Sequence, residues 1–444
     1  MSGVFISETE LPNEIIKNWN EEEIERGSDI LKEDEFKNFL DSLKSKVRKE
    51  SNILVKSIKG NIEGLANGIM YSNLNDKKWS LAACIVEIFR HPDISKNSSF
   101  IDTFSFQKKI YSHLNKGDLK FILGWGQAKR SCGGLKTEGY SADFAELYAI
   151  LRLQIIANSI HIISGKKVNI LVLTGGNRFH EALFTHEEKI KKYDEQRSLI
   201  AKFFSDQNAS IAFRLYKNNI NDSKLKLFSE KIDIQEINKN FKVILVNIDW
   251  NNILSDCKLN CHNIGFPDSL SKYLNNGGDK DNIIIMAIVS ILRNDTHKYW
   301  IEKIDDVELF DDTINYFREV TKQSVIKYLS IHLIDRIENN GLYDDYIRLT
   351  VHIKSDRNDI PAVYNLGRLG GNKLSQHVCF SIINGIVNFT TVLEMHKNKN
   401  IKKYFPPEAE GMLFHWLHFE KQPLLYSDNE NLLADILSTS LIKI

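Results

Sequence analysis

The chain has 444 residues, and its 58 Lys plus Arg residues balance its 58 Asp plus Glu residues. This balance argues against extensive binding to nucleic acid or to a membrane surface, because both need a basic excess. Hydrophobic residues make up 42% of the chain, so a large core is expected, and the length favours about two structural units. Five widely spaced cysteines and an N-terminus without a basic, apolar leader favour the cytoplasm.

The first 77 residues predict a helical extension that serves as a lid or docking element without chemistry of its own. No strand pattern is evident in this part, and the polar stretch 73–78 is interpreted as a linker. One helical face is predicted from apolar residues at helical spacing, namely Phe36, Phe39, Leu40, Leu43 and Val47.

From Trp79 onwards, helices and strands are predicted to alternate. Uninterrupted apolar strands separated by helices are typical of a parallel sheet. We therefore predict an α/β fold with a Rossmann-like, mostly parallel sheet, in which Ser141 acts as N-cap of the central helix and Asp143 lies in its first turn. The predicted helices are 82–89, 141–159 and 186–204, and the predicted strands are 119–123, 168–173, 209–215 and 243–248.

The C-terminal third has a different pattern, which predicts antiparallel strands. Residues 347–353 alternate between apolar and polar side chains, and Asn384-Gly385 is a strong signal for a type I′ hairpin. A helix is predicted at 431–441. The domains expected are a helical extension (1–77), an α/β catalytic domain (78–397) and a helical tail packed on it (398–444).

A glycine-rich loop follows the first predicted strand. Gly124-Trp-Gly-Gln-Ala-Lys129 lacks the third glycine of a dinucleotide fingerprint, and Gly133-Gly-Leu-Lys-Thr137 lacks the contiguous GK[ST] of a P-loop. Its cations, Lys129, Arg130 and Lys136, precede a helix N-terminus, where backbone N–H groups and positive charge can hold an anion. A solvated loop with scattered charges explains the pattern equally well.

Two polar pairs are candidates for chemistry. Asp143 and Glu146 share one helix face at the mouth of the loop, where carboxylates can accept a proton or hold an ammonium group. Compensation of the helix dipole is the alternative explanation. Arg348 and His352 share a strand face, which suits either an anionic substrate or plain contact with solvent.

No metal or cofactor is expected from the sequence. Cys257-x3-Cys261-His262 has no second ligand pair at matching spacing. His415 and His418 lie in an aromatic-rich segment that is more typical of packing than of metal binding.

Several segments resemble the isocyanide synthase family, the pyoverdine/dityrosine biosynthesis proteins. Lys136-Thr-Glu-Gly-Tyr-Ser-Ala-Asp143, followed by Glu146, is similar to the family core K-T-x-G-x-x-x-D-x-x-E, and Lys129 matches a lysine just upstream of it. The segment 174–179 and the later Tyr193 resemble S-D-G-x-x-F and its following tyrosine, although Gly175 replaces the aspartate and the first-loop prolines are missing. The segment 346–352 resembles the strand I-R-L-S-x-H, and His377 matches a histidine ahead of the last strand pair.

The resemblance implies that the amino group of an amino acid condenses with the ketone of ribulose 5-phosphate to give an isonitrile, without a metal or redox cofactor. It implies carbonyl chemistry for Lys129, amine binding or proton transfer for Asp143 and Glu146, and acid–base work for His352. Phosphate or carboxylate binding then falls to Arg130, Lys136, Arg348 and His377. The expected partners are the two small substrates and a downstream oxygenase. An amino-acid N-formylating enzyme and a non-catalytic binder of the same fold are the alternatives.

Overall fold

The computed structural model describes residues 27–70, 77–125, 141–174, 187–215, 345–353, 357–371, 373–390, 395, 400–420 and 422–443. Helices and two β-sheets in these ranges share one extensive hydrophobic core. The predicted strand 243–248 and the cysteine fragment 257–262 lie outside the described residues. The division of the chain at residues 77 and 397 stays a prediction.

The N-terminal part forms one long helix, α1 (Glu33–Met70), as its apolar spacing predicts. The five apolar residues of its predicted face are all buried in the common core. Before it, strand β1 (Ser28–Ile30) pairs in parallel with a later strand, β8 (Lys402–Phe405). The prediction that this part lacks a strand was wrong, because three exposed residues carry no alternating pattern.

The first sheet is parallel throughout its described strands, which confirms the predicted α/β class. Its strands are β2 (Leu119–Trp125), β3 (Val168–Thr174), β4 (Ala209–Leu215) and β5 (Ile347–Leu349), in the order β4-β3-β2-β5. The alternating segment at 347–353 was expected to belong to an antiparallel region. The structure instead places this segment's strand, β5, beside β2 in the parallel sheet. The side chains of β5 alternate between buried and exposed although the strand is parallel to its neighbour, which is why the alternation was misleading.

Four helices pack beside this sheet: α2 (Lys77–Arg90), α3 (Thr103–Lys116), α4 (Phe144–Ser164) and α5 (Glu187–Phe204). By length and composition alone, α4 could cross a membrane. Residues 144–157 of α4 are nevertheless all buried within the protein, as in the core helix of a globular domain.

The second sheet is mixed, in the order β1-β8-β9-β6-β7. Strands β6 (Cys379–Ile383) and β7 (Ile386–Thr390) form the predicted antiparallel hairpin, and β9 (Leu425–Ser427) runs antiparallel to β8. At the hairpin turn, Asn384 and Gly385 have φ angles of 52° and 71°, the left-handed conformations that a type I′ turn requires. Short helices complete this part: α6 (Gly367–Gly370), α7 (His415–Phe419) and α8 (Leu432–Ser438).

Three buried side chains hold the backbone of residues 440–442, and we name this group the C-terminal clasp: Glu50, Tyr148 and Arg152. The carboxylate of Glu50 accepts the N–H groups of Leu441 at 2.9 Å and of Ile442 at 3.2 Å. Arg152 donates to the carbonyls of the same two residues. The clasp therefore fastens the C-terminal segment to α1 and α4 at once.

Candidate active site

The carboxyl ends of the parallel strands meet at one edge of the first sheet. From β2 the chain proceeds to β3 and β4 on one side, whereas β5 pairs with the other side of β2. The reversal of direction at β2 is a topological switch point, and ligands of open α/β sheets bind outside the strand ends at such a point. Trp125 and Thr174 are the last residues of β2 and β3 at this edge.

The N-terminus of α4 lies at this edge, and Asp143 caps it. The Asp143 carboxylate accepts the N–H of Ala145 at 2.8 Å, and Glu146 accepts the N–H of Asp143 at 2.9 Å. This reciprocal arrangement is a capping box. The prediction that Ser141 is the N-cap was wrong: its hydroxyl instead bonds to the carboxylate of Glu420.

Glu146 also links α4 to α5 through Tyr193. The Tyr193 hydroxyl donates to the second oxygen of the Glu146 carboxylate at 2.6 Å, and both residues are fully buried. Burial raises the pKa of Tyr193 well above its ordinary value, and the negative charge of Glu146 raises it further. Tyr193 is therefore a neutral phenol at physiological pH and can act as a proton donor.

One turn along α5, Arg197 forms a second buried contact group. It pairs with the carboxylate of Asp194, whose other oxygen lies 3.0 Å from the hydroxyl of Thr174 at the end of β3. The guanidinium carbon lies 4.0 Å from the centre of the Tyr193 ring and 5.8 Å from that of Trp125. Burial opposes the charge of Arg197 most strongly, but the interactions with Asp194, Tyr193 and Glu146 together outweigh it and raise the pKa of the guanidinium.

Three donor nitrogens in this region have no hydrogen-bond acceptor among the residues that the structure describes. They are Nε and Nη1 of Arg197 and Nε2 of Gln196, and both side chains are buried. The other end of the Gln196 amide accepts the N–H of Ala142 at 2.6 Å, which fixes its orientation beside the start of α4. A buried donor without a partner costs about 1–3 kcal/mol, so a ligand with carboxylate or phosphate oxygens would be favoured here.

The structure brings Asp143 and Glu146 together but keeps Arg348 apart from them. Arg348 is paired with Ile122 in the register of β5 and β2, so alternation directs its side chain to the face opposite that of Trp125. It is exposed there. His352, just beyond β5, is exposed too, and its N–H bonds to the Thr350 hydroxyl at 3.2 Å.

His377 ends a single 3₁₀ turn, Ser375–His377, that lies close to β2. In this turn the side-chain oxygen of Gln376 accepts the indole N–H of Trp125 at 2.9 Å, which fixes the turn beside the carboxyl edge of the sheet. The predicted cations of the glycine-rich loop, Lys129, Arg130 and Lys136, lie outside the described residues.

The described ranges contain no cluster of three or more His, Cys, Asp or Glu residues that could hold a metal ion. His415 and His418 have separate partners, as expected for packing residues. His415 Nδ1 lies 3.0 Å from the carbonyl of Met412, whereas His418 Nε2 lies 2.7 Å from the carboxylate of Glu408.

Asp194, Gln196 and Arg197 carry no signal in the sequence that predicts a site, and Tyr193 is predicted only through the family resemblance. An Asp and an Arg three residues apart on a helix usually form an exposed ion pair, so spacing gives no sign that this pair is buried. Thr174 followed by two glycines was the available signal, because it marks the strand end against which the pair packs.

No family model matches the sequence, and no curated protein matches it. Among solved structures, the chain is similar to the PvcA protein from Pseudomonas aeruginosa, with a TM-score of 0.48 and 10% sequence identity. The match covers 78% of this chain and 99% of that chain.

Proposed function

We propose that this protein is an enzyme of the isocyanide synthase kind, which condenses the amino group of an amino acid with the ketone of ribulose 5-phosphate. The proposal depends on one observation, the buried hydrogen bond of 2.6 Å between Tyr193 and Glu146. These residues belong to two segments that separately resemble the family, and 47 positions separate them in the sequence. Their contact at the carboxyl edge of the sheet is the arrangement that a shared active site needs.

A third segment of the resemblance adjoins the same place. Thr174, which opens the segment similar to S-D-G-x-x-F, bonds through its hydroxyl to Asp194, the neighbour of Tyr193. Each unsatisfied buried polar group destabilises the fold, so three of them within one network are unusual. The unpaired nitrogens of Arg197 and Gln196 therefore favour a ligand-binding role over simple helix capping.

In this proposal, Arg197 holds the carboxylate of the amino acid or the phosphate of the sugar, because its planar fork matches both groups. The carboxylate of Glu146 accepts the proton that the ammonium group must lose before its nitrogen attacks the ketone, and the phenol of Tyr193 donates a proton to the ketone oxygen. Asp143 orients Glu146 through the capping box. Lys129 polarises the carbonyl, and His352 assists as acid–base partner. Anion binding is shared by Arg130, Lys136 and His377, whereas Arg348 is left out because it lies exposed on the opposite face of the sheet.

The test is to incubate the purified chain with the twenty amino acids and ribulose 5-phosphate labelled with ¹³C at the carbon that is transferred. Mass spectrometry should detect an isonitrile that carries the label and should identify the amino acid. A labelled N-formyl amino acid would instead establish the formylating alternative. No product, together with no thermal shift by either substrate, would contradict the proposal and favour the non-catalytic alternative.

A matched pair of variants links the product to the site. Tyr193→Phe should reduce product formation by about 100-fold, because it removes a proton donor that works at the reacting centre. Tyr404→Phe is the control, since that tyrosine also donates one hydrogen bond, to the carbonyl of Asn429 at 3.0 Å, but lies in the mixed sheet. Equal turnover of the two variants would contradict the assignment of Tyr193.

A further inference from the structure

Lys96 lies in the loop between α2 and α3, and its backbone is firmly held there. Its N–H donates to the carbonyl of Ala362 at 2.7 Å. The side-chain amide of the next residue, Asn97, bonds to the carbonyl of Ile360 at 2.9 Å and accepts the N–H of Ala362 at 2.8 Å. The side chain of Lys96 therefore starts from a fixed position.

The amine of Lys96 reaches the carboxyl edge of the parallel sheet. Its Nζ donates to the carbonyl of Val351 at 2.7 Å. Because Leu349 pairs with Leu123, the residue two positions further on, Val351, is level with Trp125 at the end of β2. The amine thus lies at the switch point between β2 and β5, at the edge where the candidate active site is formed.

The surroundings of this amine are unusual for a lysine. Within the described residues it has no ion-pair partner, and its one hydrogen-bond acceptor is a backbone carbonyl. The titratable side chain in contact with it is Tyr364, whose ring centre is 5.8 Å away, and His352 follows Val351 in the chain. Burial without a compensating charge lowers the pKa of Lys96 to about 8, so a large fraction of the amine is neutral in mildly alkaline solution.

We propose that Lys96 is a further catalytic residue, which forms a Schiff base with the carbonyl group of the substrate at the switch point between β2 and β5. The inference rests on the proposed function, in which that carbonyl is the ketone of ribulose 5-phosphate. A neutral lysine amine held at a fixed position is the group that imine formation requires.

The step balances without an oxidant or a reductant. The nitrogen lone pair of Lys96 forms a bond to the ketone carbon, the C=O π pair moves to oxygen, and a proton passes from nitrogen to oxygen. The carbinolamine then loses one water molecule to give the imine. The amino group of the amino acid adds to this imine carbon and displaces the lysine amine, so Lys96 is regenerated and the substrate imine is formed.

The test traps the imine in the full-length chain. Ribulose 5-phosphate is added, sodium borohydride is applied as a short pulse, and tryptic peptides are analysed by mass spectrometry. Lys96 should carry the sugar phosphate less one water plus two hydrogens, at a rate about tenfold or more above that of an ordinary lysine, whose amine is mostly protonated near neutral pH. Labelling of other lysines with no adduct at Lys96 would overturn the proposal. This outcome is measured in the unmodified protein, so it does not depend on whether a variant folds.

Variants and pH complete the test. Lys96→Arg should lose the adduct, whereas Lys373→Arg should keep it, since Lys373 also donates to a backbone carbonyl, at 2.7 Å, but lies in an exposed loop. The labelling rate should rise with pH and level off above about 8, and a rise that continues to about 10.4 would contradict the proposal.

The two proposals fail separately. A labelled isonitrile without a trapped Lys96 adduct would refute the Schiff base and leave the proposed function intact. A trapped Lys96 adduct without an isonitrile or formyl product would refute the proposed function and leave the Schiff base intact.

Discussion

Two fully buried arginines on neighbouring helices show opposite kinds of surroundings. Arg152 in α4 donates to three backbone carbonyls, those of Leu441, Ile442 and Asp93. Arg197 in α5 has one carboxylate partner and two nitrogens without an acceptor among the described residues. The first arginine uses most of its hydrogen-bonding capacity to hold the chain together and has one nitrogen, Nε, without an acceptor among the described residues, whereas the second has two such nitrogens beside Thr174 and Trp125.

The largest effect on stability is expected for Arg152→Met. The substitution removes the donor to the carbonyls of Leu441, Ile442 and Asp93 and a buried positive charge near Glu50, so the free energy of unfolding should fall by about 3–5 kcal/mol. Urea denaturation followed by circular dichroism measures the change. Lys32→Met is the control, because Lys32 forms an ion pair with Glu35 in which both side chains are exposed, so its loss should matter little. Similar losses in both variants would contradict a structural role specific to the clasp.

A smaller but more specific effect is expected for Arg197→Lys. Lysine keeps a positive charge beside Asp194 but cannot present the two unpaired nitrogens of the fork. Ribulose 5-phosphate at about 100 times its dissociation constant should stabilise the original protein by about 2.7 kcal/mol and should not stabilise the variant. Differential scanning calorimetry with and without the ligand measures this. An equal gain in the variant would show that the ligand is held elsewhere.

Tyr193→Phe should cost about 1–3 kcal/mol, because it removes the hydroxyl that donates to the buried Glu146 carboxylate. The pH dependence provides a further test. A tyrosine with a raised pKa stabilises the fold fully below its ordinary value of about 10, and this contribution is lost as the pH rises above that value. Unfolding curves between pH 8 and 11 should therefore fall less steeply for the variant than for the original protein.

The smallest effect is expected at the helix cap. Asp143→Ala should destabilise the protein by about 1 kcal/mol, and Asp143→Ser should restore most of this loss, because serine also caps helices. In the proposed function the backbone N–H of Asp143 orients Glu146, and the serine variant keeps that N–H, so it should regain turnover in the labelled-carbon assay together with stability. Stability without turnover would contradict this role and would assign the Asp143 carboxylate itself to the reaction.

Periodicity predicted the parts of the fold that are built locally. The apolar face of α1, the strands β2 to β4 and the hairpin at Asn384-Gly385 each follow from spacing or turn chemistry within a few residues. Partners of strands are not encoded locally. For this reason β1 was missed, and β5 was expected in an antiparallel region although it pairs in parallel with β2.

The site was predictable only in part, for a related reason. The sequence identified Asp143 and Glu146 because they stand at a helix start after a glycine-rich loop. It did not identify Arg197 or Lys96, whose surroundings depend on burial by segments distant in the chain. Lys96, for example, meets Val351 across 255 positions, and no spacing rule reaches that far.

The C-terminal clasp also determines when folding can be completed during synthesis. Glu50 meets Leu441 across 391 positions, and a ribosome adds about 5–20 residues per second, so roughly 20–80 s pass between the two. Throughout that interval the carboxylate of Glu50 lacks the backbone N–H groups that it binds in the native protein, and Arg152, once made, lacks the carbonyls of Leu441 and Ile442. The nascent chain must therefore keep this part of α1 and α4 solvated or shielded until residues 440–442 emerge.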